Sequence, residues 1–221
     1  MHFFCENDLA CLFDTLKSQR IFLIKARVMK ISKVFIAPLL FGSLLTIGAC
    51  NNAETKTDTK EVAEDHNEAK FDKVAEKDAQ QVVDAYAAGL YEIKLADTVS
   101  KYAVTKETKN LAGMLSEAHT KINAELKDLA AKKQITLPTD VTPEQAKKIG
   151  EVSDDKRKEI DKDYTSEMVS KHKESVAMYE RCSTECTDAD IKTWFGNTVP
   201  ELRKHLDMAM NSEEKIKTAT K

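Results

Sequence analysis

Four stretches of this chain repeat apolar residues at three- and four-residue steps. That period, and not alternation, decides the fold class. Val82, Ala85, Gly89, Ile93, Ala96, Val99 and Ala103 carry it through a first helix expected over about residues 76–103. Leu111, Leu115, Ile122, Leu126 and Leu129 carry it through a second, over about 106–133. Tyr164, Met168, Val169, Val176 and Tyr179 mark a third over about 155–182. Ile191, Phe195, Val199, Leu202, Leu206 and Ala209 mark a fourth over about 188–214. No run reads as a strand, so the expected domain, residues 75–216, is all-α.

The boundaries have local causes. Thr187-Asp-Ala-Asp190 can cap the fourth helix by accepting orphan backbone donors. Thr142-Pro143 looks like the start of a short helix that fades near Gly150. Pro200 removes one helical hydrogen bond and should kink the fourth helix. Helices of this length are about 39 Å long. The connection over about residues 134–154 is long enough to cross the bundle. The expectation is therefore a ferritin-like four-helix bundle with helices 2 and 3 parallel. The other two connections are short and force antiparallel hairpins.

Ahead of this domain stands Ile47-Gly48-Ala49-Cys50, which reads as a lipobox ending in a cysteine to be lipidated. Met29, Lys30 and Lys33 make a basic start, and Val34 to Ile47 is an apolar stretch too short to span a bilayer. Residues 29–49 therefore read as a lipoprotein signal peptide. Residues 1–28 are expected to be an over-extended start, with Met29 the true one. Cys50 would anchor the chain in a membrane, and residues 50–74 read as a flexible tether. Asn51 after the lipidated cysteine favours the outer membrane, by resemblance to other bacterial lipoproteins, with the domain most simply facing the periplasm. The net charge of −3, with Lys and Glu interspersed, offers no basic stripe for nucleic acid.

Of the five cysteines, only Cys182 and Cys186 remain in the folded domain. An oxidising envelope compartment would pair them as a small disulfide across the turn before helix 4. An intact helix would orient them poorly, so the helix is expected to break there. The alternative is a redox or thiolate metal pair, though the four-residue spacing is not the redox two-residue spacing.

Four polar residues sit where the period demands apolar ones, one per helix: Glu92, His119, His172 and His205. An unpaired buried carboxylate is costly, so the four should share a partner. A single divalent ion would serve, and so would an internal Glu–His hydrogen-bond network. Glu201 precedes His205 by four residues and could join it as a ligand or orienting group, against the plainer reading of a solvated residue. Met168 and Met208 lie near His172 and His205 in sequence. Thioether beside imidazole favours Cu(I), whereas the plain reading makes both methionines core filler. There is no Gly-rich phosphate loop, nucleophile elbow or His-Glu-x-x-His, so no catalytic residue is assigned.

From about Asp78 to Met210 the chain resembles domain-of-unknown-function family 4142, often labelled "predicted outer membrane protein". The resemblance rests on Gly89-Leu-Tyr-Glu92 with Leu95-Ala96, and on His119-Thr-Lys-Ile-Asn-Ala-Glu-Leu126. It rests also on Asp163-Tyr164 with Met168-Val-Ser-Lys-His172, and on Thr198-Val-Pro200 with Leu202-Arg-Lys-His205-Leu206. It implies a ferritin-like fold, export and a largely unassigned activity. It points to the same Glu92, His119, His172 and His205. One departure is Ala118, where the family commonly has an acidic residue; Glu117 is one step away. Di-iron enzymes of this fold need Glu-x-x-His pairs. Here Ser116, Val169 and Leu202 precede the histidines by three, which leaves ferroxidase or oxygenase chemistry the weakest reading. The first reading is an envelope lipoprotein holding copper, zinc or iron for buffering, storage or stress protection. Its alternative is a metal-free structural or protein-interaction lipoprotein.

Overall fold

The computed structural model describes residues 58–153 and 159–219. Cys50, the signal stretch and residues 1–28 lie outside the described residues. Six helices and no strand occupy the described part: α1 (Thr59–Lys70), α2 (Lys73–Tyr102), α3 (Lys106–Lys133), α4 (Pro143–Glu151), α5 (Ile160–Glu185) and α6 (Ala189–Ala219). Among the described residues no helix is long and apolar enough to cross a membrane.

Hairpins α2–α3 and α5–α6 pair to make the bundle. Two carboxylates fix their relative direction. Asp161, at the start of α5, accepts from the backbone N–H groups of Val104 and Thr105 in the α2–α3 turn. Asp78, near the start of α2, accepts from the N–H groups of Thr187 and Asp188 in the α5–α6 turn. Each hairpin turn is thus clasped by the opposite hairpin. At the other end of α3, Lys133 pairs with Asp188 at 2.7 Å. Helices α3 and α5 therefore run parallel, and the long connection between them, described over residues 134–153, is the expected crossover.

The apolar core lies in two clusters. Val82, Val83, Leu126, Tyr179, Phe195 and Leu202 build one. Leu95, Val99, Leu115, Met168 and Ala209 belong to the other. Each fully buried aliphatic or aromatic side chain contributes about 1.5–3 kcal/mol, so these clusters carry the stability. On α3, α5 and α6 the level of His119, His172 and His205 falls between them.

The crossover carries α4, which starts with a capping box between Thr142 and Gln145 and Pro143 in the first turn. Lys148 on α4 and the Tyr91 hydroxyl on α2 both meet Oε1 of Glu167 on α5, at 2.7 and 2.8 Å. Helix α6 continues through Pro200.

Two expectations need correction. The tether expected over residues 50–74 contains a packed helix, α1. Asp58 caps it, and Asn67, 3 % exposed, makes a two-way backbone clamp on Thr136. Its Nδ2 donates to the Thr136 carbonyl at 2.9 Å, and its Oδ1 accepts from the Thr136 N–H at 2.8 Å. The Thr59 hydroxyl exchanges a similar pair of bonds with the backbone of Asp140. The disulfide expected between Cys182 and Cys186 is also absent, for both are free buried thiols. Helix α5 does not break before them. The Cys186 N–H still donates to the Cys182 carbonyl at 3.2 Å, and the turn is held by Asp78.

Candidate metal centre

Each bundle helix delivers one polar side chain to a common level: Glu92 from α2, His119 from α3, His172 from α5 and His205 from α6. All four are at most 5 % exposed. The three rings form a triangle with centroids 5.3, 5.3 and 5.5 Å apart. One ligand nitrogen from each can be chosen so that all lie within 4.8 Å of one another.

Hydrogen bonding fixes the tautomers. Nδ1 of His172 lies 2.9 Å from the Met168 carbonyl, which can only accept. Nδ1 therefore carries the proton, and Nε2 of the neutral ring keeps its lone pair toward the centre. Nε2 of His119 stands 3.2 Å away and must be the donor between them. Oε2 of Glu92 is 2.8 Å from Nε2 of His119 and 3.6 Å from Nε2 of His172. It is nevertheless buried without an aligned hydrogen bond, and so is Nδ1 of His205.

The Glu92 oxygen lies close to two imidazole nitrogens with no aligned hydrogen bond to either, as a co-ligand of one ion would. With metal–nitrogen bonds of about 2.0–2.1 Å, a tetrahedral ion separates its donors by about 3.3 Å. The separations of 2.8, 3.2 and 3.6 Å bracket that value. Imidazole with one carboxylate suits zinc, copper or iron better than magnesium or calcium.

The charge pattern agrees. Burial alone would raise the pKa of Glu92, but the imidazoles, His119 first, outweigh it and bring it down to about 2. Burial disfavours a charged His119, yet Glu92 lifts its pKa above the ordinary imidazole value. Burial pushes the pKa of His172 down. Burial, followed by the charge of His119 and His172, takes His205 down to about 3. In the metal-free centre Glu92 thus favours the charged form of His119, while burial favours the neutral forms of His172 and His205. Loading an ion must displace the His119 proton.

The other candidates sit differently. Met168 is a core residue that meets the site through its carbonyl. Met208 is 43 % exposed. The half-exposed Glu201 stands 3.7 Å from Nε2 of His205, beyond hydrogen-bond range.

Sequence reasoning missed the support beneath the centre. Asn123, one turn after His119, is buried and donates from Nδ2 to the Tyr86 carbonyl at 3.1 Å. It occupies the space over Gly89, where an added Cβ would lie 2.1 Å from its Oδ1. The one available signal was an amide placed between Ile122 and Leu126 on a buried face. Tyr164 was read as core alone, yet its buried hydroxyl has no hydrogen-bond partner. Its pKa is pushed up by burial first and then by the charge of Glu92.

The model of the family described as "Domain of unknown function (DUF4142)" matches residues 63–211. No curated protein and no solved structure matches the chain.

Proposed function

The chain belongs to the DUF4142 family, and from that premise we propose that it is an envelope lipoprotein whose bundle holds one transition-metal ion for buffering, storage or stress protection. The observation that carries the metal reading is the buried His119–His172–His205 triangle facing a Glu92 oxygen that no hydrogen bond satisfies. Glu92 and the three histidines would hold copper, zinc or iron. A centre this deeply buried, with a ligand from every bundle helix, suits retention of an ion better than presentation to a large substrate. The lipobox ending at Cys50 supports membrane attachment, and Asn51 after it supports the outer membrane; the periplasmic side is the part of this reading that no residue carries.

A second reading has its own observation. The His119–His172 hydrogen bond and the Glu92–His119 ion pair neutralise much of the centre without metal. The four residues would then fix helix registry in a structural or protein-interaction lipoprotein.

Elemental analysis separates the two. Residues 52–221 form one compact unit. That fragment, purified without a His tag and challenged with copper, zinc and iron, is expected to retain about one ion per chain. His119→Ala should lose it. A wild-type fragment that retains none would favour the registry reading and turn the search to envelope proteins.

A further inference from the structure

A second cluster of metal-ligating side chains lies at the end of the bundle where α5 turns into α6. Cys182 opens the last turn of α5, and Cys186 is its cap. They are 3 % and 4 % exposed. They stand one helical turn apart where α5 ends. Cys182 donates to Oε1 of Gln81 at 3.2 Å, and Asp78 borders the same cavity as both cysteines. A cavity of about 100 Å³ is lined by both cysteines, with Lys77, Arg181 and Glu185 also in its wall.

We propose that Cys182 and Cys186 form a two-coordinate site for a soft monovalent ion, Cu(I) in particular, separate from the histidine centre. The argument is one of donor type. Two buried thiols that border one cavity, held one helical turn apart by the Cys186 N–H to Cys182 carbonyl bond, can close on a single ion. Oδ2 of Asp78 is taken by the Thr187 N–H, the Thr187 hydroxyl and the Asp188 N–H at 2.7–2.8 Å. The other donors in the wall, on Asp78, Gln81 and Glu185, are hard oxygens, so the two sulfurs are the soft pair of this site. Thiolates select Cu(I), and two of them suffice for it. Binding exchanges protons and leaves every oxidation state unchanged. One Cu(I) and two thiols give one bis-thiolate complex of charge −1, and two protons leave to solvent. Lys77 and Arg181 face that negative charge.

The fragment of residues 52–221 contains no other cysteine. Fully reduced and anaerobic, it is titrated with Cu(I) against a chromophoric Cu(I) chelator while the near-ultraviolet thiolate-to-copper absorption is followed. The wild type is expected to show that absorption and to protect both cysteines from alkylation once loaded. Cys182→Ala/Cys186→Ala should lose the absorption and about one equivalent of Cu(I). His119→Ala should keep the absorption, whether or not the histidine centre takes copper, so failure of that centre leaves this result standing. Cu(I) uptake by the folded wild type without thiolate absorption would overturn the proposal. Unchanged alkylation of the loaded wild type would do the same, and neither result depends on whether the double variant folds.

Discussion

His205 lies at 3 % exposure between two other imidazoles, and its pKa falls to about 3. In the unfolded chain an imidazole titrates near 6.5. A depressed pKa means that the unfolded state binds the proton and the native state does not. The resulting stability is complete above about pH 6.5 and is lost as pH falls toward 3. His172 is lowered as well and adds in the same direction. His119 is raised, so its contribution is complete below about pH 6.5 and is lost only as pH rises through its folded value. Glu92, lowered to about 2, begins to matter only below its unfolded value near 4.5. Between about pH 6.5 and 4.5 the slope therefore belongs to His205 and His172. Metal-free wild type should lose stability on acidification across that window, and His205→Asn should reduce the slope by up to about 1.4 kcal/mol per pH unit. Urea unfolding at several pH values reads it directly, and equal slopes in the two proteins would refute the assignment. At this scale the four inward residues were legible because helical period fixes which face a residue takes. The rest was not. A three- or four-residue step cannot say which imidazole nitrogen donates to the Met168 carbonyl. Nor can it say that Met208 and Glu201 fall on the outer edge of their face.

Among the elements, α3 was readable to the residue, because Thr105 caps it and its apolar stripe fades at Lys132-Lys133. Helix α1 was not. Its buried residues are Ala63 and Asn67, and it is fastened by side-chain to backbone bonds that leave no apolar period. The α5–α6 turn was misread because an oxidised pair was assumed, and free thiols place no such constraint on the helix end. The contact between α2 and α3 offers a sharp test at Gly89. Alanine in an exposed helix interior would stabilise by about 1 kcal/mol over glycine. At this site the added Cβ would stand 2.1 Å from Oδ1 of Asn123, far inside contact distance, and Asn123 is held by Tyr86. Overpacking of this kind costs about 1–3 kcal/mol, so the clash wins. Gly89→Ala should destabilise the protein, and adding Asn123→Ala should recover part of the loss, a coupling read from a double-mutant cycle of urea midpoints. Gly89→Ala as stable as wild type would mean that the two helices part easily beside the site.

Over the whole molecule, the centre sits where it conflicts most with stability. Glu92 and His119 belong to one hairpin, His172 and His205 to the other, and the level they occupy is flanked by two apolar clusters. A bundle selected for stability alone would fill that level with leucine. Replacing buried ionic groups by apolar ones of similar size is often neutral or stabilising by about 1–4 kcal/mol. The two functional readings part here. If the residues exist to hold an ion, Glu92→Leu/His119→Leu/His172→Leu/His205→Leu should be at least as stable as the metal-free wild type, and metal should no longer raise its melting temperature. Wild type, by contrast, should gain about 2.7 kcal/mol at an ion concentration one hundred times its dissociation constant, because ligands on four helices bind only in the folded state. If the residues exist to fix registry, the leucine protein should lose its single cooperative transition or change its helix pairing. Calorimetry with and without metal, alongside a two-dimensional amide spectrum of the leucine protein, decides between them. A stable, well-dispersed leucine protein blind to metal supports the metal-holding reading. A molten or mispaired one, together with a wild type whose melting temperature ignores copper, zinc and iron, supports registry.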